Sequence, residues 1–288
     1  MTSMRVLTVG TDGSPESMNA ADWAAREALR RGLPLRLLHA DSGERPAPPP
    51  PDVDLPGSGL LDRVARQLSY THPALQVLAR CSPASPVGAL LTAAADSETL
   101  VLGSRGFSGY SGFLVGSVAL AVTARADRPV VLVRAGGLPR DERAPGAPDF
   151  LPVVVGLDVT GPSDEVLSYA FEAAALRGAA LHALHAWTLP LLRSDALVAA
   201  APPGDAARRE TLRRRALTDA LQVWRAKYPE VPVVPRLVYG QPGHHLLKAS
   251  TSAALTVIGR GMDRDRLGCT AHSVVHHVTS PVAVVPHL

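Results

Sequence analysis

Short apolar runs alternate with amphipathic stretches along the whole chain. Arg5-Val6-Leu7-Thr8-Val9-Gly10 reads as a buried strand, and Leu35 to Ala40 as a second. Between them Ala20, Ala21, Trp23, Ala24, Ala28 and Leu29 recur at helical spacing, with Ser14 or Ser17 as the cap and Gly32 as the stop. A proline- and glycine-rich stretch from Arg45 to Gly59 reads as a connector. It is followed by a helix over 60–70, a strand over 75–79 and a helix that Pro86 opens and Asp96 ends. A strand over 99–102, a glycine-rich loop, a helix over 117–126 and a valine-rich strand over 129–133 complete the set. Strands alternating with helices predict a parallel α/β sheet.

The pattern then repeats. Residues 135–149 carry Gly, Pro and charge and read as a linker, after which Val153-Val154-Val155-Gly156-Leu157-Asp158 restates Leu7-Thr8-Val9-Gly10-Thr11-Asp12. Asp12 lies 27 residues before His39-Ala40, and Asp158 lies 27 before His185-Ala186. Pro86 precedes Gly103 by 17 residues, as Pro242 precedes Gly259. The 288-residue chain therefore reads as a tandem duplication: a first domain over 1–136, a linker over 137–150 and a second domain over 151–288. The closing strands, 129–133 and 281–285, are valine-rich edges, and unpaired edges of this kind are expected to pair with one another.

Composition narrows the function classes. A net charge of +3, with no basic run interleaved with aromatics, argues against a nucleic-acid face. Cys81 and Cys269 lie far apart and form no CxxC, so neither a disulfide framework nor a zinc site is indicated. No apolar run is long enough to cross a membrane and no secretory leader is evident, so a soluble cytoplasmic protein is expected. Richness in Ala, Arg and Pro fits a GC-rich bacterial genome.

The most informative stretch runs from Gly103 to Ser117. Five of its fifteen residues are glycine, and its end opens a helix, where free N–H groups and the positive end of the helix dipole suit a phosphate. A flexible surface loop is the plainer reading. Neither the Walker A nor the dinucleotide spacing fits. The spacing found is Gly-x-x-Gly, nine residues, then Gly-Ser, at Gly103, Gly106, Gly116 and Ser117. In an open parallel sheet of order 3-2-1-4-5, this loop and Asp12 converge on one crevice at the point where strand order reverses.

These residues resemble the ATP-binding signature of the universal stress protein family, and the whole chain resembles two such domains in tandem. The resemblance implies an α/β fold of two doubly wound five-stranded parallel-sheet domains, adenine nucleotide alpha hydrolase-like, of strand order 3-2-1-4-5. It implies ATP as the ligand, with Mg2+ as an optional companion. Asp12 would meet the ribose, Thr11 and Ala40 the adenine beside Gly10, and Gly103, Arg105, Gly106, Gly116, Ser117 and Val118 the phosphates. It further implies a nucleotide-dependent regulator in stress response, with an unidentified protein partner and homodimers as an option. Weak ATPase activity and a nucleotide-independent scaffold are the alternatives.

The second half departs from the signature. Gly259-Arg260-Gly261-Met262 puts methionine in the second glycine's place. Counting back from the last strand aligns Gly268-Cys269 with Gly116-Ser117, which leaves the loop four residues shorter and carrying Asp263 and Asp265. Like charge would repel a triphosphate there, so this half is expected to bind ATP poorly or not at all. No nucleophile–base–acid set, metal-ligand set or paired carboxylates can be read, so no catalytic residue is expected. His272 and His276 stand four apart on a helix, a spacing that can hold zinc, but no third ligand is near in sequence. His244-His245 read as surface residues, Cys269 as a small replacement for serine, and Arg208-Arg209 with Arg213-Arg214-Arg215 as a solvated helix face.

Overall fold

The computed structural model describes residues 5–40, 58–104, 107–108, 112–113, 115–134, 150–161, 163–188, 205–263 and 265–288. The proline-rich connector before residue 58 and the linker up to residue 149 lie outside the described residues.

The first half runs β1 (Leu7–Gly10), α1 (Pro15–Arg31), β2 (Leu35–Ala40), α2 (Ser58–Thr71), β3 (Val77–Ser82), α3 (Pro86–Ala95) and β4 (Thr99–Ser104). It continues through two short strands, β5 (Phe107–Ser108) and β6 (Gly112–Phe113), to α4 (Ser117–Arg125) and β7 (Val130–Arg134). The second half repeats the plan: β8 (Val153–Gly156), α5 (Asp164–Ala175), β9 (Leu181–Trp187), α6 (Asp205–Lys227) and β10 (Val233–Tyr239). Then come α7 (Pro242–Ser250), β11 (Leu255–Gly261), α8 (Cys269–His277) and β12 (Val282–His287).

Local chemistry explains the boundaries. Ser14 caps α1 by accepting the Ser17 amide at 3.2 Å, Pro15 occupies the first turn, and Gly32 ends the helix at φ 63°. The third strand starts two residues later than its hydrophobic run. Leu75 instead closes a turn through its amide to the His72 carbonyl and buries its side chain there. The apolar set expected for α1 also needs correction. Leu29 is 39% exposed, whereas Glu27, one helical turn from Trp23 and Ala24, is fully buried.

All the long strands join one ten-stranded sheet of order β10-β9-β8-β11-β12-β7-β4-β1-β2-β3. Each half is parallel and of order 3-2-1-4-5, as expected from the sequence. The two halves meet edge to edge. β12 pairs antiparallel with β7, with Val282 opposite Leu132 and Val284 opposite Val130. Val131 and Val133 face one continuous apolar layer, which also holds Trp23 and Phe171, while Val130 and Leu132 face the other. Helices cover both faces, so the central strands are buried almost throughout and carry continuous apolar runs, Leu100–Leu102 and Val130–Val133, rather than alternating.

Charged side chains also cross the junction. Glu27 accepts hydrogen bonds from Arg31 at 2.8 Å, Arg30 at 3.1 Å and, from the second half, Arg177 at 2.7 Å. Arg31 also reaches Glu98 and Glu172 and lies over the Tyr169 ring. On the opposite face of the sheet, Arg134 donates to the Val278 carbonyl at 3.0 Å and to that of Val275, at the C-terminal end of α8. Arg260 donates to the Ala126 carbonyl at 2.6 Å, at the C-terminal end of α4. Each half thus supplies a guanidinium to the negative end of the other half's last helix. Burial pushes Arg134 down to about 10 and lowers Arg260 as well.

Candidate functional site

The strand order reverses between β1 and β4, and a cavity of about 610 Å3 opens beyond their carboxyl ends. Gly10, Thr11 and Asp12 after β1, Ala40 at the end of β2, Gly103 in β4, and Gly116, Ser117 and Val118 at the start of α4 all line it. Eight of the ten residues singled out in the sequence therefore share one cavity. Arg105 and Gly106 lie outside the described residues. Leu38, Pro86, Leu90 and Leu102 form its apolar wall and Glu16 borders it, and sequence reading gave these no role.

The β1–α1 turn is held rigidly. Asp12 Oδ1 accepts the Ser14 amide at 2.9 Å and the Ser14 hydroxyl at 2.5 Å. Asp12 is thus an Asx-turn residue and a cavity residue at once. Burial raises its pKa, but hydrogen bonds from Ser14 and Ser17 outweigh burial and hold the carboxyl below its ordinary value. Thr11 donates its amide to Leu38 at 2.8 Å, and its carbonyl accepts from His39 Nδ1 at 2.7 Å. Its Oγ1 is buried and has no hydrogen-bond partner among the described residues. The imidazole clamp recurs in the second half, where His185 Nδ1 bonds the Leu157 carbonyl at 2.9 Å. The equal spacing of His39 and His185 from their aspartates was the sequence signal for this role.

The glycines differ in what requires them. A Cβ on Gly103 would stand 2.6 Å from the Glu16 backbone, because the first turn of α1 rests on β4 there. A Cβ on Gly10 would stand 2.9 Å from Leu90 and Leu102. Packing alone accounts for these two. Gly116 is different: it caps α4 with an extended backbone, φ −61° and ψ 150°, and a Cβ there would meet none of the described residues within 4 Å. None of the described residues demands glycine at this cavity-lining position. Beyond it, the first-turn amides of Ser117, Val118 and Ala119 border the cavity, with no side-chain cap and no acidic residue in that turn.

In the second half α8 begins at Cys269 with Gly268 as its cap and is nine residues long, like α4. This agrees with the alignment of Gly268-Cys269 with Gly116-Ser117. A cavity of about 350 Å3 lies at the equivalent place, but neither Gly268 nor Cys269 lines it. The rings of His272 and His276 stand 4.5 Å apart, and among the described residues no group of three His, Cys, Asp or Glu side chains is arranged to hold a metal ion. Arg214 and Arg215 pair with Glu210 and Asp219 on the exposed face of α6, while Arg213 stacks on Trp187. No helix among the described residues is long and apolar enough to cross a membrane.

Comparison with known proteins matches the universal stress protein family model to residues 4–134 and again to 150–286. The Mycobacterium tuberculosis universal stress protein Rv2005c is 30% identical, over 96% of this chain and 96% of its own. Rv2623 of the same strain is 31% identical, over 96% of this chain and 95% of its own. A universal stress protein from Archaeoglobus fulgidus, 18% identical, superposes with a TM-score of 0.65 over 99% of both chains, which shows the shared fold. With two family domains in one continuous sheet, the chain belongs to the universal stress protein family.

Proposed function

We propose that the cavity at the β1–β4 crevice binds ATP and that the chain is a cytoplasmic, nucleotide-dependent regulator in stress response. The observation that carries this reading is Gly116, a glycine at a helix cap that no described residue requires, at the start of a helix whose first-turn residues line a cavity and carry no side-chain cap. A side chain there would take the space a phosphate needs. The apolar wall of Leu38, Leu90 and Leu102 suits the base, and the ionised Asp12 suits the ribose hydroxyls. Arg105 and Gly106 are proposed to join Ser117 and Val118 around the phosphates. Asp12 and Glu16 are the carboxylates on the cavity wall, and hard oxygen donors of this kind fit a hydrated Mg2+ travelling with the nucleotide.

ATP acts here as a ligand rather than a substrate, because amide groups and one hydroxyl bind phosphate without activating a water. Occupancy has a physical route to the other half. The β6 strand of the glycine-rich segment lies against α8. Arg134 bonds Ser104, next to Gly103, at 3.2 Å as well as the end of α8. The reading is tested with Gly116→Asp. Aspartate is among the best helix caps, so the melting temperature should hold or rise slightly. Its carboxylate would occupy the phosphate amides, so ATP affinity measured by calorimetry should fall more than about tenfold. Unchanged affinity would refute the phosphate assignment.

A further inference from the structure

We infer that the second cavity is a nucleoside site, shaped for a base and sugar without phosphates. This rests on reading the first cavity as an adenine-nucleotide site. Most of the base-and-sugar end is retained: Asp158, Ala186, Pro242 and Leu246 line the second cavity where Asp12, Ala40, Pro86 and Leu90 line the first, while Leu157 stands where Thr11 does. At about 350 Å3 it remains within the roughly 300–1,000 Å3 of ordinary ligand pockets.

The phosphate end is rebuilt. The offset of 146 that relates Asp12 to Asp158 would start α5 at Gly161, but the helix begins at Asp164, so its first turn is missing. In the first half that turn covers Gly103. In the second half the His287 imidazole fills the gap, with its ring atoms 2.8 Å from where a Cβ on Gly259 would stand. His287 is held there by the pairing of Gly261 with His287 and by the Met262 amide, which donates to its carbonyl at 3.0 Å. Beside it, the Asp263 carboxylate folds back to 2.8 Å from where a Cβ on Gly261 would stand. The imidazole thus crowds the phosphate end, with the Asp263 carboxylate just past the end of β11, and Gly268 and Cys269 are not on the cavity wall.

The sugar end differs in that the clamping histidine itself lines the cavity, as His39 does not in the first half. His185 Nδ1 donates to the Leu157 carbonyl; its Nε2 is buried with no hydrogen-bond partner among the described residues, and the residue, only 5% exposed, borders the cavity. Asp158 Oδ1 is engaged by the Thr160 amide and hydroxyl, as Asp12 is by Ser14. A carboxylate and an unpartnered imidazole nitrogen together match the hydroxyls of a ribose, which can both donate and accept.

The test is equilibrium dialysis of the full chain with labelled adenosine, with and without saturating ATP. The expected result is one adenosine per chain that ATP does not displace, at an affinity more than about tenfold tighter than ATP at the same site, since like charge opposes the phosphates. Thr270→Trp, which fills this cavity from the half-exposed first turn of α8, should abolish that uptake, and Ala186→Trp should do the same from the sheet side. Ala40→Trp, in the first cavity, should remove ATP binding and leave it intact. No ATP-resistant adenosine uptake, uptake unaffected by both Thr270→Trp and Ala186→Trp, or equal occupancy of both cavities by ATP would each overturn the inference. Failure of the first-cavity reading shows separately, as absent ATP uptake by the unaltered chain, and adenosine uptake lost in Thr270→Trp would still report on the second cavity.

Discussion

Replacing Glu27 with glutamine should destabilise the whole sheet, and by an amount the structure allows to be worked out. The side chain is fully buried and faces Arg177, Arg31 and Arg30. Burial alone would raise its pKa, but the three guanidinium groups and the Arg31 hydrogen bond outweigh that and bring it from 4.5 down to about 2. A shift of that size corresponds to about 3 kcal/mol of stability carried by the ionised form. Glutamine resembles the protonated acid, so Glu27→Gln should cost about 3 kcal/mol at neutral pH, at the low end of the ~3–5 kcal/mol expected on breaking a buried ion pair. The sign of the pH dependence follows. The folded pKa is depressed, so the contribution is complete above 4.5 and is lost as pH falls from 4.5 through about 2. Urea unfolding followed by tryptophan fluorescence checks both points. The gap between Glu27→Gln and the unaltered chain should be widest near neutral pH and should close as the pH approaches 2. Equal midpoints at neutral pH, or a gap that persists undiminished at low pH, would refute the argument.

Three further outcomes are expected. Gly103→Ala should destabilise by about 1–3 kcal/mol, because its Cβ would meet the Glu16 backbone, which cannot rotate aside as a side chain could, and ATP binding should weaken with it; thermal melts and calorimetry measure both. Arg134→Met should leave the carbonyls at the end of α8 without their donor and cost about 1–3 kcal/mol in urea unfolding, and by loosening the tie to Ser104 it should change ATP affinity without touching the cavity wall. Since Asp12 titrates below the ordinary aspartate value of 3.8, the difference in ATP affinity between the unaltered chain and Asp12→Asn should persist as pH falls towards 3.8 and close only beneath it; a difference that closes well above that value would mean the carboxylate is not what holds the ribose.

Local chemistry in the chain determined a good deal. Ser14, Pro15 and Gly32 delimit α1 through interactions within a few residues, and the uninterrupted apolar strands announce a sheet covered on both faces. The 27-residue spacing of Asp12 from His39, repeated by Asp158 and His185, showed the duplication. Strand order then brought eight of the chosen residues to one cavity. What a linear pattern cannot carry is which groups meet across the sheet. Glu27 looks like an ordinary polar residue on α1 until Arg177 arrives from the other half, since burial of a carboxylate is possible only where partners converge on it. The mutual capping by Arg134 and Arg260 likewise exists only because β7 and β12 pair antiparallel and place each guanidinium at the other half's helix end. His287, silent as a penultimate histidine, took on meaning when a missing turn of α5 left a space above Gly259 for its ring. Sequence sets what each segment can form by itself; the contacts that decide burial, charge and cavity shape are made between segments far apart in the chain, and only the packed sheet brings them together.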